Sequence, residues 1–244
     1  PALLFVMLAS LPFAWMYLLP SSFVDFSKSI LYSLGFSSNF YFHFTGQEYG
    51  AKSGLLKPFL HTWSLSVEEQ FYILFPLFFF ISFKYVKKHL LIIIVISFLV
   101  SLFLADIGSR NYKSENFYFL HSRMWELLAG SILAYFKITY GHKSIQEVPS
   151  SILTISGLFL IINFIFFYND NVPHDSLYLL SPIIGVCLII WFSNKDDIIT
   201  KILSTKLLVG IGLISYSLYL WHYPIFAFAR VTDIVSGSLL NKLL

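Results

Sequence analysis

The chain reads as an all-α protein, a polytopic bundle of transmembrane helices with about seven or eight spans. Three observations lead there. Of 244 residues, 57% are hydrophobic and only 12% charged, where a soluble globular chain carries about a quarter charged residues. Mean hydropathy is +0.74. The apolar residues gather into long runs, and a helix needs about 20 of them to cross the hydrocarbon core. Phe (27) and Tyr (15) are heavily used, which suits lipid and the headgroup zone. The net charge of +3 is small and scattered, so no nucleic-acid partner is expected. The one cysteine, Cys187, lies in an apolar run and leaves no internal disulfide.

Along the chain, the spans fall at 1–20, 70–83, 89–105, 122–136, 150–168, 177–193 and 207–229. Those at 70–83 and 122–136 are short between charges. They cross only where flanking polar residues face a protein-lined cavity. The one long connection, 21–66, is rich in Ser, Gly and aromatic residues and is expected to be partly ordered against the membrane. No internal repeat or low-complexity linker interrupts the pattern. Pro1 opens directly on an apolar stretch, with neither the charged start nor the small-residue cleavage site of a secretory signal peptide. The chain is therefore expected to be a fragment lacking its N-terminal part, and Val231 to Leu244 reads as cut short too.

Lys and Arg in short loops set the orientation. Lys84, Lys87 and Lys88 follow the second span, Lys137 and Lys143 the fourth, and Lys195, Lys201 and Lys206 the sixth. These loops alternate correctly to share one side, assigned to the cytoplasm. The long extracytoplasmic loop 21–66 then lies outside, with 106–122 and 169–176, although Lys28, Lys52, Lys57, Arg110 and Lys113 are also on that side.

Polar residues gather in three clusters. The densest is His61-Thr62-Trp63-Ser64-Leu65-Ser66-Val67-Glu68-Glu69-Gln70-Phe71-Tyr72. Ser66 and Glu69 have capping-box spacing, so a helix is expected to start there. Glu68 and Tyr72 share a face at i and i+4. A carboxylate at this edge can merely cap the helix, or can orient a histidine and accept a proton. In the second cluster, Arg123 and Glu126 pair at i and i+3, and Gly130 continues that face, allowing close approach of another helix. The pair either eases a helix start at the interface or holds an anionic or polar substrate group. In the third, Ser215, Tyr219 and His222 form one polar stripe on an apolar helix, and Pro224 removes a backbone donor. That stripe is either interhelical glue or part of a site.

Together these residues resemble a known family. Thr62 to Tyr72, then Arg123 with Glu126 and Gly130, then Ser215 to Pro224, are similar to the signatures of the acyltransferase-3 membrane family, in the family's order and over essentially the whole chain. The resemblance implies a single membrane acyltransferase domain over 1–244, about ten spans in a full-length member, and two of them lost before Pro1. It implies a multi-pass protein of the bacterial inner membrane. Such a protein moves an acyl group, usually acetyl, from acyl-CoA to a hydroxyl of an extracytoplasmic sugar. Acyl-CoA, the sugar acceptor and the lipid bilayer are the implied partners, with no bound cofactor and no metal. Glu69, Glu68 and His61 become catalytic candidates. Trp63, Ser64, Tyr72, Arg123, Glu126, Ser215, Tyr219 and His222 become substrate-binding candidates. The family's histidine and arginine of the first span, and its basic CoA-facing loop, are not in this chain. Residues 1–244 alone are thus expected to be inactive.

Two rival classes fit the same charges: a permease or flippase for a glycan or glycolipid, and a non-catalytic membrane scaffold. Transfer or hydrolysis of acyl-CoA by the full-length protein separates an enzyme from a permease.

The orientation is testable. Of cysteines introduced at Ser38 and Ser193, an impermeant thiol reagent should label only the first in intact cells. Labelling at Ser193 alone inverts the topology.

Overall fold

The computed structural model describes residues 1–46, 54–141, 150–167 and 177–232. Lys52, Lys143, the loop 169–176 and residues 233–244 lie outside them. The described residues contain no strand. The helices are α1 (Ala2–Tyr17), α2 (Pro20–Leu34), α3 (Ser38–Phe44), α4 (Thr62–Val86), α5 (Leu90–Asn111), α6 (Lys113–Tyr118), α7 (Leu120–Tyr140), α8 (Ser150–Phe167), α9 (Leu180–Phe192), α10 (Ile198–Leu203) and α11 (Lys206–Val231). Large apolar side chains point outward along them. Trp15, Phe80, Phe103, Phe166 and Leu213 are all well exposed, an arrangement suited to lipid and costly in water.

Several boundaries differ from expectation. The spans at 70–83 and 89–105 belong to one helical stretch, Thr62–Asn111. By length and composition it is the one described stretch long and apolar enough to cross a membrane. Ala2–Tyr17, Ser151–Phe167 and Leu177–Phe192 are apolar but shorter. Between α4 and α5 the backbone opens at Val86, and Lys87–His89 form a single 3-10 turn. The capping box at Ser66 does not form, because α4 already begins at Thr62. Among its described residues the segment 21–66 carries most of α2, all of α3, a 3-10 turn at Gly54–Leu56 and the start of α4.

The chain divides into two compact units, Pro1–Gln70 with Gly210–Leu244, and Phe71–Val209. In the first, Val6, Met7, Ala14, Phe26, Phe59, Leu65, Leu220 and Phe228 form the apolar core. Beside it runs a polar seam between α2, α3 and the start of α4. The Ser33 and Thr62 hydroxyls are 2.7 Å apart, and those of Ser38 and Ser66 also 2.7 Å. Ser66 Oγ additionally accepts the Ser38 N–H, at 3.2 Å. This is why Ser66 sits inside a helix: its hydroxyl has a tertiary partner. The α2–α3 turn needs a left-handed residue and uses Phe36 (φ 52°), an uncommon conformation for a bulky side chain. Gln70 Nε2 donates to the Phe36 carbonyl at 2.7 Å and to Asn39 Oδ1 at 2.9 Å, which fixes that turn to α4.

In the second unit, Phe71, Leu90, Ile94 and Leu128 pack α4, α5 and α7 together. Ser101 Oγ donates to the His121 carbonyl (2.6 Å) and accepts the Trp125 N–H (3.0 Å). Helices α8 and α9 cross where a Cβ on Gly157 would lie 2.7 Å from the Gly185 carbonyl oxygen, and one on Gly185 2.6 Å from that of Gly157. Gly130, expected to permit such an approach, faces open space: a Cβ there meets nothing within 4 Å.

Ser38 is fully buried while Thr45, at the end of α3, is exposed. Thr45 is therefore the outer labelling site of choice, in a Cys187→Ser background. Gly157→Val should cost about 1–3 kcal/mol through overpacking, several degrees of Tm in a thermal scan. Gly130→Ala should leave Tm unchanged or slightly raised. Equal effects of the two substitutions would show that the α8–α9 crossing is not close-packed.

Candidate active site

Residues more than 150 positions apart in the chain meet at the start of α4, within the first unit. A run of tight turns sets the local geometry. The Leu60 N–H donates to the Lys57 carbonyl (3.0 Å) and the Thr62 N–H to that of Phe59 (3.1 Å). Thr62 Oγ1 caps the same Phe59 carbonyl at 2.7 Å. These turns direct the His61 ring inward, where it is only 2% exposed.

Helix α11 closes over it. Ser64 and Tyr219 hydroxyls are 2.6 Å apart, and Tyr219 Oη donates to the His61 carbonyl at 2.6 Å. Ser64 is therefore the donor to Tyr219, and the two hydroxyls form a directed relay. The His61 ring stacks on Tyr223 (centroids 5.4 Å apart, planes at 19°) and meets His222 edge-on at 5.4 Å. Tyr223 Oη donates to the Gly54 carbonyl at 3.2 Å. His222 Nδ1 lies 2.6 Å from the Tyr219 carbonyl. A carbonyl only accepts, so Nδ1 carries the proton and Nε2 is the basic nitrogen.

His61 is unusual. Neither ring nitrogen has a hydrogen-bond partner among the described residues, although buried polar groups are nearly always paired. Burial pushes its imidazole down to about 3, His222 adds to the effect, and the nearby Pro58 carbonyl opposes it. The ring is thus neutral at physiological pH.

Glu68 is exposed and Glu69 half-buried on α4. The unpartnered His61 nitrogens mean that neither carboxylate orients that ring. Trp63 is buried, while Tyr72 is exposed on the same helix, in the second unit. Ser215 is exposed and donates locally to the Gly212 carbonyl at 2.8 Å, so it stands apart from Tyr219 and His222. In the second unit Arg123 pairs with Glu126 as expected, Nη1 to Oε1 at 3.3 Å. Its Nε also donates to the Phe117 carbonyl (3.2 Å) and its guanidinium lies 5.2 Å from the Phe117 ring centroid. Tyr223 is the residue that sequence reasoning left out of the site. It stood inside the third cluster, and only its spatial position on His61 marks it.

Residues 1–237 match the family described as an acyltransferase domain, the acyltransferase-3 family. The peptidoglycan O-acetyltransferase OatA of Listeria monocytogenes is 32% identical over 79% of this chain and 33% of its own length. The O-acetyltransferase OatA of Staphylococcus aureus is 29% identical over 94% of this chain and 39% of its own. An uncharacterized protein of Haemophilus influenzae is 32% identical over 73% and 76% respectively. The chain thus spans between a third and two fifths of the length of the two acetyltransferases. No solved structure matches.

The depressed His61 value has a pH consequence. A histidine ordinarily near 6.5 that falls to about 3 on folding binds its proton more readily in the unfolded chain. The stability it confers is full above pH 6.5 and is lost as pH falls toward 3. Between pH 7 and 4 the loss should be on the order of 1–3 kcal/mol, read as a falling Tm. His61→Gln should flatten that slope. An unchanged slope would place a charged or solvated imidazole at position 61.

Proposed function

Because the chain belongs to the acyltransferase-3 family, we propose that it is the membrane part of an O-acyltransferase that acylates a hydroxyl of an extracytoplasmic cell-envelope glycan. The acyl group is acetyl and its donor acyl-CoA. The protein is multi-pass in the bacterial inner membrane, with the start of α4 facing outward.

The observation that carries this reading is the meeting of the first and third clusters around His61, Tyr219 and His222. A glycan hydroxyl is a weak nucleophile until a base removes its proton. With Nδ1 donating to the Tyr219 carbonyl, His222 keeps Nε2 for the acceptor hydroxyl. Glu69 is a half-buried carboxylate on the neighbouring helix. The hydroxyl oxygen attacks the thioester carbonyl, its proton passes to the base, and the C–S bond breaks. CoA leaves as a thiolate that takes up a proton. His61 serves this site as a neutral, buried packing partner of His222 and Tyr223. A base at about 3 accepts a proton poorly near neutral pH. Arg123, held by Glu126, receives an anionic or polar group of a substrate, since a guanidinium binds such groups through fixed, charged donors.

The test uses the full-length protein in membranes, with labelled acetyl-CoA and a peptidoglycan-type acceptor. Glu69→Gln should lower transfer about 10²–10⁴-fold, the usual loss for one positioned acid–base group, with expression near normal. Full activity in Glu69→Gln removes that residue from the chemistry, and absence of transfer by the wild-type protein removes the reading.

A further inference from the structure

We propose that the cavity beside Asp25 and Lys57 is a subsite that binds one sugar ring of the acceptor glycan. This rests on the acyl-transfer reading above.

The cavity has a volume of about 200 Å³ and lies wholly in the first unit, between the start of α2 and the turn that precedes α4. Sites for drug-sized ligands run to roughly 300–1,000 Å³, so this one takes a single ring. Its polar side is made by Ser22, Asp25 and Lys57, and its apolar side by Leu18, Phe26 and Pro58. That division matches a pyranose, whose C–H face is apolar and whose hydroxyls each donate and accept. Lys57 supplies donors only, Asp25 acceptors only, and Ser22 both.

The charge pattern selects a neutral ligand. Lys57 Nζ sits 2.5 Å from Asp25 Oδ2, so neither charge is left over for an anion or a cation. The two side chains are 26% and 42% exposed, and a pair so placed contributes little to stability. Its position at a cavity asks for a ligand.

The cavity is also coupled to the candidate site. Its Phe26 floor touches Phe59 (centroids 5.4 Å), and Phe59 touches His61 (6.3 Å). The wall residue Lys57 donates its N–H to the Gly54 carbonyl at 3.0 Å, the same carbonyl that Tyr223 holds from α11. A glycan lying across this surface would extend from the cavity toward His222.

The probe is a β-1,4-linked tetramer of N-acetylglucosamine, titrated calorimetrically into the full-length protein in nanodiscs and used also as acceptor. Two variants are compared with the wild type: the double Asp25→Asn/Lys57→Met, and Ser22→Phe, which fills the cavity without touching the pair. Both should weaken binding tenfold or more and raise the acceptor KM tenfold or more. The kcat, the donor turnover without acceptor, and Tm should stay near wild-type values. Wild-type affinity and KM in both variants, or no binding of the tetramer by the wild-type protein, overturns the subsite. Acyl transfer with unchanged KM in both variants leaves the function standing and the subsite fallen. Binding that the variants abolish, in a protein that transfers no acyl group, leaves the subsite standing and the function fallen.

Discussion

The relay from Ser64 through Tyr219 to the His61 carbonyl ties together segments 158 residues apart. In a weakly polar surrounding, a hydrogen-bonding group left alone costs about 1–3 kcal/mol. The hydroxyls of Ser64 and Tyr219 and the carbonyl of His61 satisfy one another here. Much else in the first unit follows from this join. It brings His222 against His61, sets Tyr223 flat on the same ring, and lets Tyr223 reach back to Gly54. The apolar core of Met7, Phe26, Leu220 and Phe228 closes around the same join.

Polar residues show two different arrangements, one in each unit, beside hydroxyls such as that of Ser101 that also bond across helices in the second. In the first, the small hydroxyls of Ser33, Ser38, Thr62 and Ser66 bond across helices, so they carry tertiary structure. In the second, Arg123 spends its donors close to home, on Glu126 one turn away and on the Phe117 carbonyl. That local arrangement keeps a partly buried guanidinium neutralised and oriented at little conformational cost.

The helical character and most apolar segments were legible from composition and run length, because lipid-facing helices need no periodic pattern to be recognised. Their ends were not. Ser66 and Glu69 have the spacing of a cap, but spacing carries no information about Ser38, whose hydroxyl and N–H turn Ser66 into an interior residue. The segment 21–66 looked like loop because serine and glycine are weak helix formers, while α2 and α3 hold through contacts to α4 that only folding creates. The candidate residues were legible as three clusters, and Arg123–Glu126 paired as their spacing implies. What could not be read was which clusters touch. The neighbour of His61 proved to be α11, and not the carboxylates seven and eight residues further along its own chain.

The α8–α9 crossing is reciprocal: each glycine makes room for the other's backbone oxygen. The two positions are in effect one site. Once a side chain at Gly157 has pushed the helices apart, a second at Gly185 has less left to disturb, so the two losses should not add. For the history of such a chain this means that position 185 is free to drift only after position 157 has changed, or the reverse. The pair would then be inherited, and lost, as a unit.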